Sequence, residues 1–165
     1  MTHPSSLPAD EHDRYALYLD AFAAVPRDSE LDLVAAVLRD EDPVMAQAAV
    51  VRHVDLRAFA LLRSDDFAPW AAALAAAAGE RPFVVQRLGE WALLSAMARD
   101  LDWDDAALTA GSNWLQLGVA ETAGSVRALT VLAADGRTRR IRNIAASRLR
   151  ALTGSRAAAR RAQEG

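Results

Sequence analysis

The sequence predicts an all-α chain assembled from a repeated helix-turn-helix unit. Three observations carry this. Helix start and stop signals recur along the whole chain, strand signals do not, and separate segments superpose on one another, one pair at an offset of 39 residues.

The elements follow in order. Residues 10–24, DEHDRYALYLDAFAA, and residues 29–39 form the first two predicted helices. Asp42-Pro43 then supplies an N-cap followed by proline at the first helical position, where the missing amide is no loss, and VMAQAAVVRHV continues that helix to residue 54. Separate helices are expected over 55–63 and 67–78. Pro82 opens FVVQRLGEWALLSAMAR, a helix over 82–99, and shorter helices are expected over 103–110 and 113–122. The helix over 125–134 is followed by Gly136 and the helix over 138–152 by Gly154, each where a left-handed C-cap would sit.

Setting Pro43-Val44 on Pro82-Phe83 places Gln47 on Gln86, each one turn into its helix. Setting Asp40 on Asp135 brings Val34 onto Leu129 and Val37 onto Leu132. With a turn two residues longer, Val44 then falls on Ile141 and Ala48 on Ala145. The same helix-turn-helix unit therefore appears at least three times.

In these residues the chain resembles the HEAT repeats. LDLVAAVLRDEDPVMAQAAVVRHV has an apolar first helix, an aspartate-containing turn (Asp40, Asp42) and a second helix opening on Val44; VRALTVLAADGRTRRIRNIAASRLRAL is similar, with Asp135 in the turn and Ile141-Arg142 where the family often has Val-Arg. Residues 66–99 fit more loosely, and residues 102–122 read as a shortened unit, so the resemblance covers about residues 29–152. Met45 and Val84 depart from it by standing where the family has arginine, and the first helices lack the family's proline. The resemblance implies a HEAT-like alpha-alpha superhelix: a short solenoid of about four helix pairs with residues 10–24 as an N-terminal capping helix. Residues 1–154 are then a single solenoid domain, and residues 155–165 a basic, mobile C-terminal tail.

Composition agrees with a folded protein: 165 residues, 52% of them hydrophobic and 25% charged, suffice for a continuous core. All nineteen basic residues are arginine, a bias that points to a high-GC bacterial genome and removes any argument from arginine having been preferred to lysine. The chain has no cysteine, which excludes disulfides, thiol catalysis and thiolate metal sites. MTHPSSLPADEHDRY lacks the basic and apolar regions of a signal peptide, and WAAALAAAAGERPFVV is broken by Gly79, Glu80, Arg81 and Pro82 short of a membrane span, so a cytoplasmic protein with no membrane association is expected.

Charge is divided along the chain. Residues 1–105 hold nineteen acids and nine arginines, and residues 106–165 hold three acids and ten arginines. Head-to-tail, salt-sensitive self-association is one expectation from such a layout. RTRRIRNIAASRLRALTGSRAAARR, residues 137–161, holds nine of the arginines and no acid. On a helical wheel Ile141, Ile144, Ala145, Leu149 and Leu152 share one side and Arg139, Arg142, Asn143 and Arg150 the other, so most of these arginines belong to a solvated face. Arg139, Arg142 and Arg150 form a candidate basic patch, extended by Arg156, Arg160 and Arg161, for an acidic protein surface or for phosphates. Arg148 falls inside the apolar stripe and is expected to pair structurally with an acid or a carbonyl.

FVVQRLGEWALLSAMA carries only Arg87 and Glu90 as charges and is apolar on both sides, so it should be central. Its strip of Gln86, Arg87 and Glu90, with Trp91 at the edge, joins Gln47 and Gln116 in a candidate partner-binding groove. The four tryptophans read as packing between units. DLDWDDAAL resembles the opening of a calcium loop, but Asp105 stands where glycine is needed and Gly111 where glutamate is needed, so helix capping is the better reading. The histidines His3, His12 and His53 have no metal-ligand spacing, and no acid-base or nucleophile set can be assembled. The chain is expected to be no enzyme and to need no metal or cofactor. It is expected to be a scaffold or adaptor binding another protein through its concave helices and basic end, with nucleic-acid binding as the alternative. Within that alternative, some HEAT-like proteins are DNA glycosylases that use tryptophans and an aspartate. No Trp and Asp here match such a site residue by residue.

Overall fold

The structure is a computed structural model that describes residues 8–163, and the side chains of residues 8–155. Nine α-helices and no strand occur among the described residues: α1 (Glu11–Ala24), α2 (Glu30–Val37), α3 (Pro43–Leu61), α4 (Phe67–Ala78), α5 (Pro82–Ala98), α6 (Asp105–Ala110), α7 (Asn113–Thr122), α8 (Val126–Asp135) and α9 (Arg139–Gln163). They fall into two compact units, residues 1–99 and 100–165. None of the helices is long and apolar enough to cross a membrane among the described residues.

Most helix starts are set by side chains that take up amides left without carbonyl partners. Asp10 accepts from the His12 and Asp13 amides, Asp42 from those of Val44 and Met45, Asp104 from Ala106, Ser112 from Leu115, Ser125 from Ala128 and Thr138 from Ile141. Two boundaries differ markedly from those expected, and a third stands for a different reason. The helices predicted over 43–54 and 55–63 are one continuous α3, because Asp55 directs its carboxylate at Arg87 and Trp91 instead of ending a helix. α9 runs through Gly154 to Gln163, eleven residues past its expected end. The flanking Ala-Arg sequence propagates a helix well, and one interior glycine costs only about 1 kcal/mol. Gly136 does end α8, but with φ −57° and so not left-handed. A Cβ there would lie 2.5 Å from the Leu132 carbonyl oxygen and 2.9 Å from Ile141 Cγ2, so close packing is what requires glycine.

In the first unit α3 packs between α1 and α5, while α2 packs on α4 and α4 on α5. The apolar faces enclose a core of Val34, Val37, Ala46, Val50, Val54, Leu74 and Val84, with Tyr18 and Phe22 closing it from α1. In the second unit α7 packs on α9 and α6 on α8, around Leu108, Leu115, Val119, Leu129, Leu132 and Ile141.

One device occurs in both units. Gln47, in the first turn of α3, accepts a hydrogen bond through Oε1 from the Phe83 amide at the start of α5, 3.2 Å away. Gln116, in the first turn of α7, accepts the Arg137 amide just ahead of α9 at 2.8 Å. An arginine accompanies each: Arg81 donates to the Leu38 carbonyl that follows α2, and Arg137 to the Gly111 carbonyl that follows α6. Gln116 is completely buried, and its Nε2 also donates to the carbonyls of Leu108, Thr109 and Gly111.

Two buried polar clusters fix the first unit. Asp40 (side chain 1% exposed) receives Arg14 Nε at 3.1 Å, the Tyr18 hydroxyl at 2.6 Å and the Asp42 amide at 2.8 Å, tying α1 to the α2–α3 turn. Burial alone would raise the Asp40 carboxyl, but Tyr18, the Asp42 amide and Arg14 outweigh it and its pKa is lowered. Burial, reinforced by the bond to Asp40, pushes the Tyr18 hydroxyl up to about 12. In the second cluster Glu30 Oε1 meets His53 Nε2 at 2.6 Å and accepts from Trp70 Nε1 at 3.1 Å, with the His53 ring stacked on Phe22.

Two outcomes are expected. Gln116→Leu, near in volume but unable to pair the Arg137 amide, should lower unfolding free energy by about 2–3 kcal/mol in urea titrations, and Gln47→Leu by about 1 kcal/mol. The raised Tyr18 pKa means that the folded state holds this proton more tightly. Its stabilisation is complete below pH 10.0 and is lost as pH rises toward about 12, whereas the lowered Asp40 pKa gives stabilisation present above pH 3.8 and lost below it. Thermal melts of Tyr18→Phe should start lower than wild type at neutral pH and lack the decline between pH 10.0 and about 12.

Candidate functional site

Helices α3 and α5 of the first unit offer the most distinctive surface. On α3 the residues Ala46, Val50, His53, Val54, Ala58 and Leu61 face the core, which leaves Ala48, Arg52, Leu56 and Phe59 as a strip at spacings of three and four. Leu56 is 59% and Phe59 71% exposed, and Arg52 enters no ion pair among the described residues. Sequence reasoning did not single out Leu56 or Phe59. The signal was present, because both fall off the buried stripe once residues 43–61 are read as one helix.

Beside this strip runs a polar seam between α3 and α5. Asp55 accepts from Arg87 Nη1 at 3.3 Å and from Trp91 Nε1 at 2.8 Å, while Glu90 approaches Arg87 Nε at 3.6 Å and accepts from Gln86 Nε2 at 3.4 Å. Gln86, Arg87, Glu90 and Trp91 are thus brought into one network, centred on an aspartate that the sequence did not mark. Gln86 is exposed, Arg87 half-buried, and Glu90 and Trp91 buried. Two carboxylates around one guanidinium hold the seam rigid and leave it slightly acidic.

The other candidates lie elsewhere. Gln47 is buried, with both ends of its carboxamide bonded to backbone at Pro43 and Phe83. Gln116 belongs to the second unit and is likewise bonded to backbone. On α9, Arg139 and Arg150 are exposed, and neither enters an ion pair among the described residues. Arg142 is half-buried and donates to the Gly136 carbonyl at 2.6 Å, and Arg148 donates to the Ala120 carbonyl at 3.3 Å. The side chains of Arg156, Arg160 and Arg161 lie outside those described. Asp102, Asp104 and Asp105 are engaged locally: Asp104 caps α6, and Arg127, stacked 4.1 Å over Trp103, pairs with Asp105 at 3.0 Å and Asp102 at 3.8 Å.

Comparison with protein-family models, curated proteins and solved structures returns no match to this chain. Its function must be read from its own surfaces.

Strip and seam should respond differently to substitution. Phe59→Asp, at an exposed position, should change unfolding free energy by no more than about 0.5 kcal/mol. Trp91→Ala should lower it by about 3–5 kcal/mol, by opening a cavity in the core. Denaturant titrations of the two variants measure the contrast.

Proposed function

We propose that this chain is a non-catalytic, HEAT-like α-solenoid scaffold that binds another protein through the exposed side of its second helices, α3 and α5. Two features support the repeat reading. First helices pack on first helices and second on second within each unit, and the glutamine bond recurs in both.

The observation that carries the binding proposal is the exposure of Phe59 and Leu56, one turn apart on α3, next to the ordered Asp55–Arg87–Trp91 seam. Large apolar side chains left in water beside a polar, fixed rim are the pattern of a protein contact, in which an anchor fills a pocket of the partner and the rim excludes water. Nucleic acid would want several unpaired cations on this face; Arg52 is one among the described residues, but Arg87 beside it is neutralised by Asp55 and Glu90. Trp91 directs its indole N–H at Asp55 and is buried, so it does not offer a stacking face to a base.

The test is photocrosslinking from position 59 in the native host, with nuclease-treated extracts. One protein should be captured reproducibly, and its recovery with the tagged chain should be lost in Leu56→Asp and in Phe59→Asp, both of which should remain folded by circular dichroism because the positions are exposed. Recovery that is unchanged by these substitutions, or that disappears with nuclease, would overturn the proposal.

A further inference from the structure

Helices α1 and α9 present opposite charge, most of it without an ion-pair partner among the described residues. On α1 the exposed residues Asp13, Ala16, Leu17, Asp20 and Ala24 fall on one strip, since each lies three, four or seven residues from others of the set. The only arginine of that helix, Arg14, is turned away into its buried pair with Asp40. Leu17, 44% exposed, stands between the two carboxylates. On α9 the exposed residues Arg139, Arg140, Asn143, Ser147 and Arg150 form a comparable strip, and no acid occurs between residues 137 and 155 to neutralise it. Glu121 approaches Arg140 at 3.8 Å; Arg139 and Arg150 have no such neighbour among the described residues.

The units that carry these helices differ in the same sense. Residues 1–99 hold fifteen acids and nine arginines, and residues 100–165 hold seven acids and ten arginines. α1 packs on α3 and more lightly on α2, and α9 on α8 and α7, so both strips lie on the sides turned away from those packing partners.

We infer that the occupant of each strip is the other strip on a second copy of this chain: the acidic face of α1 in one protomer receives the basic face of α9 in the next. The two surfaces are opposite in sign, two carboxylates (Asp13, Asp20) against three guanidiniums (Arg139, Arg140, Arg150), and each has small residues (Ala16 and Ala24; Ser147) among its charges that let helices approach. Such a contact joins two different patches. It therefore propagates from copy to copy and closes only if the rotation between copies allows a ring. Exposed ion pairs are individually weak and screened by salt, so the association depends on several acting together and on ionic strength.

Sedimentation of the full chain at about 0.01 M and about 1 M salt, where the screening length is roughly 30 Å and 3 Å, tests this directly. Average mass should rise with protein concentration at low salt and return to that of the monomer at high salt. Two charge reversals separate the contact from a general effect of net charge: Asp13→Arg with Asp20→Arg, and Arg139→Glu with Arg150→Glu. Each variant alone should be monomeric at low salt, because its two faces now carry the same sign. An equimolar mixture should regain the large species, since each new face finds its complement on the other variant, and this also shows that both variants fold. A wild type that stays monomeric at low salt, variants that still associate alone, or a mixture that stays monomeric would overturn the inference.

Discussion

A helix that begins inside a protein leaves several amides without acceptors, and at α5 a side chain of a neighbouring helix meets part of that need. The acceptor is a glutamine carboxamide, Gln47 of α3, and a like bond joins Gln116 of α7 to the Arg137 amide in the turn ahead of α9. Because the bond is directional, it fixes where the next helix starts as well as how closely it approaches. Once that start is fixed, Asp55 meets Arg87 and Trp91, and Ser95 Oγ reaches the Leu62 carbonyl at 2.8 Å.

The arrangement separates two kinds of polar residue that sequence alone makes look alike. Gln47 and Gln86 occupy equivalent positions of aligned helices, yet the first is buried against backbone and the second is exposed and reaches only Glu90 in its own helix. Likewise Arg142 and Arg148 close carbonyls, whereas Arg139 and Arg150 point their charge at water. Assigning Gln47, Gln86, Arg139, Arg142 and Arg150 alike to binding surfaces merges groups that hold the chain together with groups that are available to meet something else, whereas Arg148 is expected from the sequence to pair structurally.

What was legible in the sequence was local. Asp42-Pro43 and the serine caps act within three residues, so the starts of α3, α7 and α8 could be read off to within a residue or so. The continuity of α3 could not, because the role of Asp55 depends on Arg87 and Trp91, 32 and 36 residues further on. Gly136 was marked correctly as a helix end for a reason that proved different, since the constraint is the approach of Leu132 and Ile141 and not a left-handed backbone. The strip of Gln86, Arg87, Glu90 and Trp91 was visible from periodicity. The exposed anchors Leu56 and Phe59 were hidden by an expected helix break that does not exist.

The glutamine bond also bears on how relatives of this chain are to be recognised. Its partner is a main-chain amide, which every residue but proline supplies, so the residue facing the glutamine is free to drift without loss of the contact. Descendants of a common ancestor can preserve the spacing of their helices while exchanging most side chains around it. In an alignment the bond would leave one steadfast column with no covarying mate, a trace that methods built on paired substitutions pass over.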